Sequence, residues 1–203
     1  GGGGGGGGGG VSNEVEADVF WCFEHMMRPL ATNFAHDQAG MHEQLELLRE
    51  LLRFLDAELY LHLQATGCIS LFFAFRWLLC MLKREFSFDD TLRLWDVLWS
   101  HHLLPARTFV VFACAAVLIA QRDAIIRNFT DSESFDTLLR YAIGLSGTLD
   151  VDVVVADAEV LFKRFVLKSR RGAVPAALQQ LVLGTVVSGD GPVGGGGGGG
   201  GGG

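Results

Sequence analysis

The residues that could carry chemistry in this chain are few, and most of them stand in or beside apolar stretches. Arg76 is alone in the apolar run 71–82, and His101 and His102 follow a second apolar segment directly. The sequence contains no G-x-S-x-G, G-x-x-x-x-G-K-[ST] or H-E-x-x-H motif, which are typical patterns of hydrolases, nucleotide-binding loops and zinc proteases. We therefore expect no catalytic, cofactor-binding or metal-binding residues in this chain.

Arg76 has two interpretations. An unpaired buried charge is very costly, so the first is structural: the guanidinium contacts a carboxylate and its aliphatic part packs on aromatic side chains. The candidate partners are Asp18, Glu24, Glu85 and Asp96. The sequence does not choose among them, although Asp96 lies in the adjacent motif. The second interpretation is an arginine that contacts a partner protein. We prefer the structural one, and we expect Arg84 and Glu85 to form a structural ion pair or cap.

His101 and His102 invite the hypothesis of a metal site. They follow a predicted helix, at whose C-terminus a partly protonated imidazole is favourable. No other His, Cys or carboxylate has ligand spacing to them, so we expect no metal. The four cysteines show no C-x-x-C spacing, and three lie in apolar helical stretches. This distribution favours buried thiols in a reducing compartment.

Charge and composition exclude further classes of protein. The net charge of −7 argues against a nucleic-acid binder, which needs a basic face. Residues 1–10 and 194–203 are glycine, which we interpret as tags or placeholders. The remainder, 11–193, suits one domain or a large part of one. Because it does not begin with Met, we expect it to start within a longer protein. The longest apolar runs are shorter than the about 20 residues of a bilayer crossing, so no transmembrane segment is expected.

The hydrophobic pattern predicts an all-α fold, since no alternating strand pairs and no N-G or D-G hairpin turns appear. Helices are predicted over 13–28, 40–63 with a break near Asp56, 69–84, 88–100, 105–120, 131–143, 150–169 and, loosely, 175–183. Residues 30–39 are a polar connector. The stretch 69–99 is apolar on almost every side and holds Trp77 and Trp95. We expect both tryptophans to be buried and the rest of the chain to surround this stretch.

One combination of residues resembles a known family. It reads F-R-W-L-L at 75–79, K-R-E-F at 83–86 and L-R-L-W-D-V-L-W at 92–99. This combination resembles the second half of the TBC domain, the Rab GTPase-activating fold. D-V-F-W-C-F at 18–23, the apolar pattern of 40–55 and the helix after Pro105 extend the resemblance to roughly 14–167. The signature positions, for which structural roles are predicted, are Trp21, Arg76, Trp77, Arg84, Glu85, Phe86, Trp95 and Asp96.

The resemblance implies a GTPase activator for Rab-family small GTPases, in which Mg-GTP is bound only by the partner. Family members supply an arginine from I-x-x-D-x-x-R and a glutamine from Y-x-Q-G-M. The cation offsets charge on the transferring phosphate, and the amide orients the attacking water. Neither motif is present here: Tyr60 and Tyr141 are followed two places on by His62 and Ile143. Residues 38–41 (Q-A-G-M) lack the tyrosine and carry an extra residue before the glycine.

Two functions follow from the sequence. In the first, residues 11–169 are the C-terminal part of a TBC domain, a scaffold half without the two catalytic residues that is inactive alone, and 170–193 are a tail. Such a protein is expected to act in vesicle trafficking, in the cytoplasm, with recruitment to endomembranes through its partner. The alternative is a non-catalytic helical interaction module, a pseudo-TBC, that binds a GTPase or another protein. Sequence upstream of Val11 in the full protein would discriminate them.

Overall fold

The computed structural model describes residues 13–131 and 134–187, with side chains described up to 183. This part of the chain forms helices and no strands, in agreement with the predicted all-α class. The helices are α1 (Asn13–Met27), α2 (Ala39–Leu55), α3 (Ala57–Ala65), α4 (Phe75–Leu79), α5 (Phe88–Ser100), α6 (Ala106–Ala120), α7 (Arg122–Asn128), α8 (Ser134–Gly144), α9 (Val151–Arg170) and α10 (Ala176–Val187). Short 3-10 helices span Arg28–Phe34 and Phe72–Ala74. The terminal glycine runs lie outside the described residues.

Helix α6 lies at the centre of the fold. Its sequence is apolar almost without interruption, and Ala106 and residues 108–118 are all buried. It packs against α2, α4, α5, α7 and α9. A helix that is apolar on every side needs neighbours on every side, so the chain surrounds α6 and not the predicted stretch 69–99.

No single helix of the described residues has the length and apolar character that crossing a membrane requires. The pair α6 and α7, bent by 55°, meets the length and composition requirements only when the two are taken together.

The single helix predicted over 69–84 is wrong. This segment folds as a 3-10 turn, the short helix α4 and further turns, and Leu71, Met81 and Leu82 have φ angles of 54°, 48° and 60°. Left-handed backbone costs about 1–2 kcal/mol per non-glycine residue, and burial of these three side chains offsets that cost. An unbroken apolar run has no periodicity to mark where a helix ends, which is why the sequence did not reveal the break.

Helix boundaries with capping residues agree with the predictions. The break at Asp56 separates α2 from α3, and Asp56 Oδ1 accepts a hydrogen bond from the Leu59 amide at 3.0 Å. Ser87 Oγ accepts one from the Asp90 amide at 3.2 Å where α5 begins. In each case a side-chain oxygen satisfies an amide that the first helical turn leaves unpaired.

The predicted polar connector 30–39 contains a buried polar contact that the sequence did not reveal. Asn33 Nδ2 donates to Gln44 Oε1 at 2.9 Å, and Gln44 Nε2 donates to the carbonyl of Arg107 at 2.8 Å. A Cβ atom at Gly40 would collide with Thr32 and Asn33, so glycine allows α2 to approach this segment closely. The contact joins the first 3-10 helix to α2 and α6.

Helix α1 buries none of its side chains. Its main packing partner is the 3-10 helix Arg28–Phe34. The residues that we call the α1 face are 58–63% exposed: Val19, Phe20, Trp21 and Phe23. Phe20 and Trp21 contact each other edge-on, with 5.3 Å between ring centroids, and exposed apolar groups of this kind mark interaction sites. Cys22, on the same helix, is exposed, whereas Cys68 and Cys114 are buried and Cys80 is half-buried.

Candidate functional site

The centre of the signature region is an ion pair between α4 and the turn that precedes α5. Arg76 Nε donates to Glu85 Oε1 at 2.8 Å, and Arg76 Nη2 lies 2.7 Å from the same oxygen. The Glu85 side chain is fully buried and that of Arg76 is 24% exposed. Arg76 therefore contacts a carboxylate, as predicted, and of the four candidate partners it is Glu85 that forms the pair. Asp96, in the adjacent motif, is exposed on α5.

Burial and charge act in opposite directions on Glu85. Burial raises the pKa of its carboxyl, and the hydrogen bond and positive charge of Arg76 oppose that shift. Within the described residues, Glu85 Oε2 and Trp77 Nε1 are buried without a partner at normal hydrogen-bond geometry. The Trp77 indole is still near enough to lower the carboxyl pKa. The carboxylate also acts on Cys114, whose thiol pKa is raised first by burial and then by the negative charge of Glu85.

The loop after α8 holds the backbone of the Arg84–Glu85 turn. The Gly147 amide donates to the Glu85 carbonyl at 2.8 Å, and Ser146 Oγ donates to the Arg84 carbonyl at 2.6 Å. A structural ion pair or cap was expected for Arg84 and Glu85. Glu85 does form a structural ion pair, but with Arg76, while the Arg84 side chain is exposed. The positive charge of the Arg84 side chain lowers the pKa of the Glu85 carboxyl.

The two left-handed residues before this turn are held by tryptophans. Trp95 Nε1 donates to the Met81 carbonyl at 3.1 Å, and the Leu82 amide donates to the Trp77 carbonyl at 2.7 Å. Trp77 is 1% exposed, as predicted. Trp95 was also predicted to be buried but is only partly so. Its ring packs edge-on against that of Trp99, with 5.4 Å between centroids.

Two guanidinium nitrogens of Arg76, Nε and Nη2, contact the buried Glu85 carboxylate. An arginine that stabilises a transferring phosphate must present its guanidinium to that group. The geometry of Arg76 thus matches the structural interpretation, in which the ion pair fixes α4 to the turn before α5. This site was difficult to derive from sequence because the arginine and its carboxylate belong to different elements.

A comparison with models of protein families matches residues 11–126 to the Rab-GTPase-TBC domain. This chain belongs to the Rab-GTPase-TBC family. The match ends within α7, and α8, α9 and α10 follow it in the chain. Helix α9 nevertheless packs along α6, so the TBC core and this later helix share one hydrophobic interior.

Proteins named as GTPase-activating proteins or as TBC1 domain family members are similar to this chain. It is 42% identical over 146 residues to the GTPase-activating protein GYP7 of Yarrowia lipolytica, and 39% identical over 154 residues to TBC1 domain family member 17 of Mus musculus. These matches cover 72% and 76% of the chain but only 19% and 23% of the relatives. Among solved structures, the Ypt/Rab-GAP domain of Gyp1p matches with a TM-score of 0.65 and 30% identity, over 76% of this chain and 46% of that one.

The TBC signature positions do not all meet at one place. The residues around the ion pair are Arg76, Trp77, Glu85, Phe86 and Trp95. The side chains of Trp21, Arg84 and Asp96 are exposed, and Trp21 belongs to the α1 face. The signature therefore combines a structural centre with surface positions, a distinction that sequence spacing alone does not make.

The two histidines have different environments. His101 Nε2 lies 3.1 Å from Glu159 Oε1, and its Nδ1 accepts a hydrogen bond from the Leu104 amide at 3.1 Å. Because Nδ1 is an acceptor, the proton of the neutral ring is on Nε2. His101 also stacks on Phe109 at 4.2 Å between ring centroids, whereas His102 is exposed. Within 13–131 and 134–187, no group of three His, Cys, Asp or Glu residues is arranged to hold a metal ion.

Proposed function

We propose that this chain provides the helical scaffold of a GTPase-activating domain for Rab-family small GTPases, and that the arginine and glutamine acting on GTP come from another segment. The relatives named above as GTPase-activating proteins support the first part of the proposal. The observation that carries the second part is the absence of both catalytic motifs from 11–193. The engagement of Arg76 by Glu85 adds to it, since this arginine is already bound within the fold.

Three arginines outside the signature positions are already bound to carboxylates. A catalytic arginine contributes roughly 10³–10⁵ in rate, or about 4–7 kcal/mol of barrier, and it must be held rigidly at the phosphate. Arg28, Arg49 and Arg107 are each engaged by a glutamate, and the ion pairs of Arg28 and Arg107 are both 2.8 Å long. The carboxylates of Arg28 and Arg49 are four and three positions away in the chain, and both pairs are at least partly exposed to solvent.

The α1 face supports the idea of a further segment. A domain interface that is cut in half exposes apolar side chains in this way. The chain covers 46% of the Gyp1p Rab-GAP domain structure, so a segment that carries both motifs would find an apolar surface at Phe20, Trp21 and Phe23. On this proposal Mg-GTP belongs to the partner GTPase, and the chain acts in the cytoplasm, recruited to endomembranes for vesicle trafficking through that partner.

The test is single-turnover GTP hydrolysis by a panel of Rab proteins with the chain in excess, beside the complete Gyp1p Rab-GAP domain as a positive control. We expect no stimulation by the chain alone. We expect stimulation after it is joined to a TBC segment that carries both motifs, and loss of that stimulation when the motif arginine is changed to alanine. Stimulation by the chain alone, near that of the complete domain, would contradict the proposal. Arg76 would then be the arginine to test as the catalytic residue.

The interaction-module alternative makes a different prediction in the same experiment. If the chain binds a Rab protein but joining it to the motif-bearing segment restores no hydrolysis, a non-catalytic module is the better description. Comparing binding to GTP-loaded and GDP-loaded Rab proteins then establishes whether the module recognises the nucleotide state.

A further inference from the structure

A groove of about 410 Å³ lies between residues 101–103 and the C-terminal half of α9. Its surface is mainly apolar, with Leu103, Phe162, Val166 and Leu167 as the apolar lining. Leu103 and Leu167 are 50% and 54% exposed, so the groove opens to solvent along its rim. Its volume lies within the about 300–1,000 Å³ typical of binding pockets.

The groove lies against a cluster of cations on an otherwise acidic chain. The sequence K-R-F-V-L-K-S-R-R at 163–171 contains no acidic residue, although the chain has a net charge of −7. Lys163 and Arg170 line the groove. Arg170 forms no ion pair within the described part of the chain, whereas Lys163 Nζ lies 3.4 Å from Glu159 Oε2. The other oxygen of Glu159 contacts His101, so the negative charge at this end is already occupied.

Residues 101–103 form the wall of the groove opposite α9, and contacts of His101 hold this wall in place without a ligand. His101 connects it to α9 through Glu159 and accepts a hydrogen bond from the Leu104 amide. Its side chain is 4% exposed, and its ring lies between Phe109 and Phe162. A preformed groove lowers the entropy cost of binding because the wall does not have to be ordered.

We propose that this groove binds an acidic, amphipathic segment of a partner protein. A large apolar side chain of the segment would insert between Leu103, Phe162 and Val166, and its carboxylates would contact Arg170 and Lys163. Arginine forms paired hydrogen bonds with a carboxylate, and an amphipathic helix in an apolar groove is a common mode of recognition. The lining residues on α9 extend from Glu159 to Arg170, about 16 Å along the helix. The inference does not depend on the proposed GTPase-activating function.

The experiment is fluorescence anisotropy with the full chain and three labelled peptides of equal length. The first repeats leucine and glutamate with helical spacing, the second has lysine for each glutamate, and the third has serine for each leucine. We expect only the first to bind, with an affinity that weakens at higher salt. We expect Arg170→Glu and Leu167→Ser each to weaken binding by about tenfold or more, equivalent to about 1.4 kcal/mol.

Matched controls lie on the same helix outside the groove. Arg164→Glu and Val160→Ser change exposed side chains that do not line it, and both are expected to leave the affinity unchanged. All four side chains are exposed, so we expect all four variants to fold. Thermal melts followed by circular dichroism check this expectation.

Four results would overturn the inference. The first is no binding of the leucine–glutamate peptide, and the second is equal binding of the lysine peptide. The third is equal weakening by Arg164→Glu, which would indicate general charge attraction. The fourth is peptide-insensitive binding to phosphatidylserine-containing vesicles that Arg170→Glu abolishes, which would assign the cations to a membrane surface.

Discussion

Glu85 shows how one buried charge depends on one partner. Its carboxylate is fully buried, and among the residues that the structure describes its ion-pair partner is Arg76. Removing one member of such a pair leaves an uncompensated charge, which costs about 3–5 kcal/mol. We predict that Arg76→Met lowers the free energy of unfolding by that amount at neutral pH, measured by urea denaturation.

Two comparisons make this prediction specific. The double variant Arg76→Met with Glu85→Gln should recover part of the lost stability, because no buried charge remains. Arg93→Met is the surface control: its ion pairs with Asp90 and Asp152 are exposed, and such pairs contribute at most about 1 kcal/mol. Equal losses for Arg76→Met and Arg93→Met would show that the Glu85 pair is not special.

The protonation of Glu85 also makes stability depend on pH. Burial raises its pKa in the folded protein above the ordinary value of 4.5, so the unfolded chain ionises first. Below that value both states are protonated and burial has no electrostatic cost. As pH rises from 4.5 through the folded-state pKa, the unfolded state is increasingly favoured.

We therefore predict that Glu85→Gln gains stability relative to the natural chain as pH rises through this window. Urea denaturation of both proteins over a pH series measures the difference in unfolding free energy. The variant also loses the hydrogen bond to Arg76, which changes its unfolding free energy by a constant amount at every pH. The prediction therefore concerns how the difference in unfolding free energy between the two proteins changes with pH. Parallel pH profiles for the two proteins would show that Glu85 keeps the same pKa in both states.

Among the helices, α9 shows what a single cap contributes. Asp150 Oδ1 accepts hydrogen bonds from the amides of Asp152 and Val153 at 2.9 and 3.3 Å. We predict that Asp150→Ala lowers the unfolding free energy by about 1 kcal/mol, measured by thermal or urea denaturation. Asp157→Ala, an exposed change in the same helix, is the control and is expected to be nearly neutral. An equal loss for both changes would assign the effect to surface charge.

Elements with local signals were predictable from the sequence. Three helices begin after a capping residue: Asp56, Ser87 and Asp150. In each case the side-chain oxygen accepts a hydrogen bond from the backbone amide three residues later. Because both residues are close in the chain, such caps can be recognised from sequence alone. The 69–84 segment had no such signal. Its backbone depends on contacts such as that of the Met81 carbonyl with Trp95, which only the assembled fold supplies.

The candidate site was predictable in kind but not in geometry. An arginine within an apolar run implies a carboxylate partner, because the alternative is an unpaired buried charge. Choosing Glu85 over Asp96 requires the direction of each side chain, which follows from the turn after α4. The link from Gln44 to the Arg107 carbonyl spans 63 positions and has no local pattern at all. Long-range packing decides both contacts.

For the molecule as a whole, the α1 face is the surface through which we expect copies of the chain to associate. Exposed aromatic patches promote self-association of a chain in solution. We predict that Trp21→Ser combined with Phe23→Ser reduces the self-association of the chain, measured by sedimentation velocity, without lowering its melting temperature. Leu61→Ser in α3 is the control, because Leu61 is an apolar residue outside α1 that is 60% exposed. If the control reduces self-association as much as the double variant, the α1 face is not the contact surface.

Helix α1 also differs from the rest of the molecule in how its backbone is protected. It buries no side chain and packs mainly on one short 3-10 helix, whereas α6 is enclosed on every side. A helix of this length is marginal in water without tertiary contacts, so its amides open without unfolding the core. In a hydrogen-exchange experiment α1 would exchange as a separate, weakly protected unit while α6 reports the global unfolding energy. Binding of a partner that covers the α1 face would then slow hydrogen exchange of the α1 amides while the exchange rates of the α6 amides stay the same.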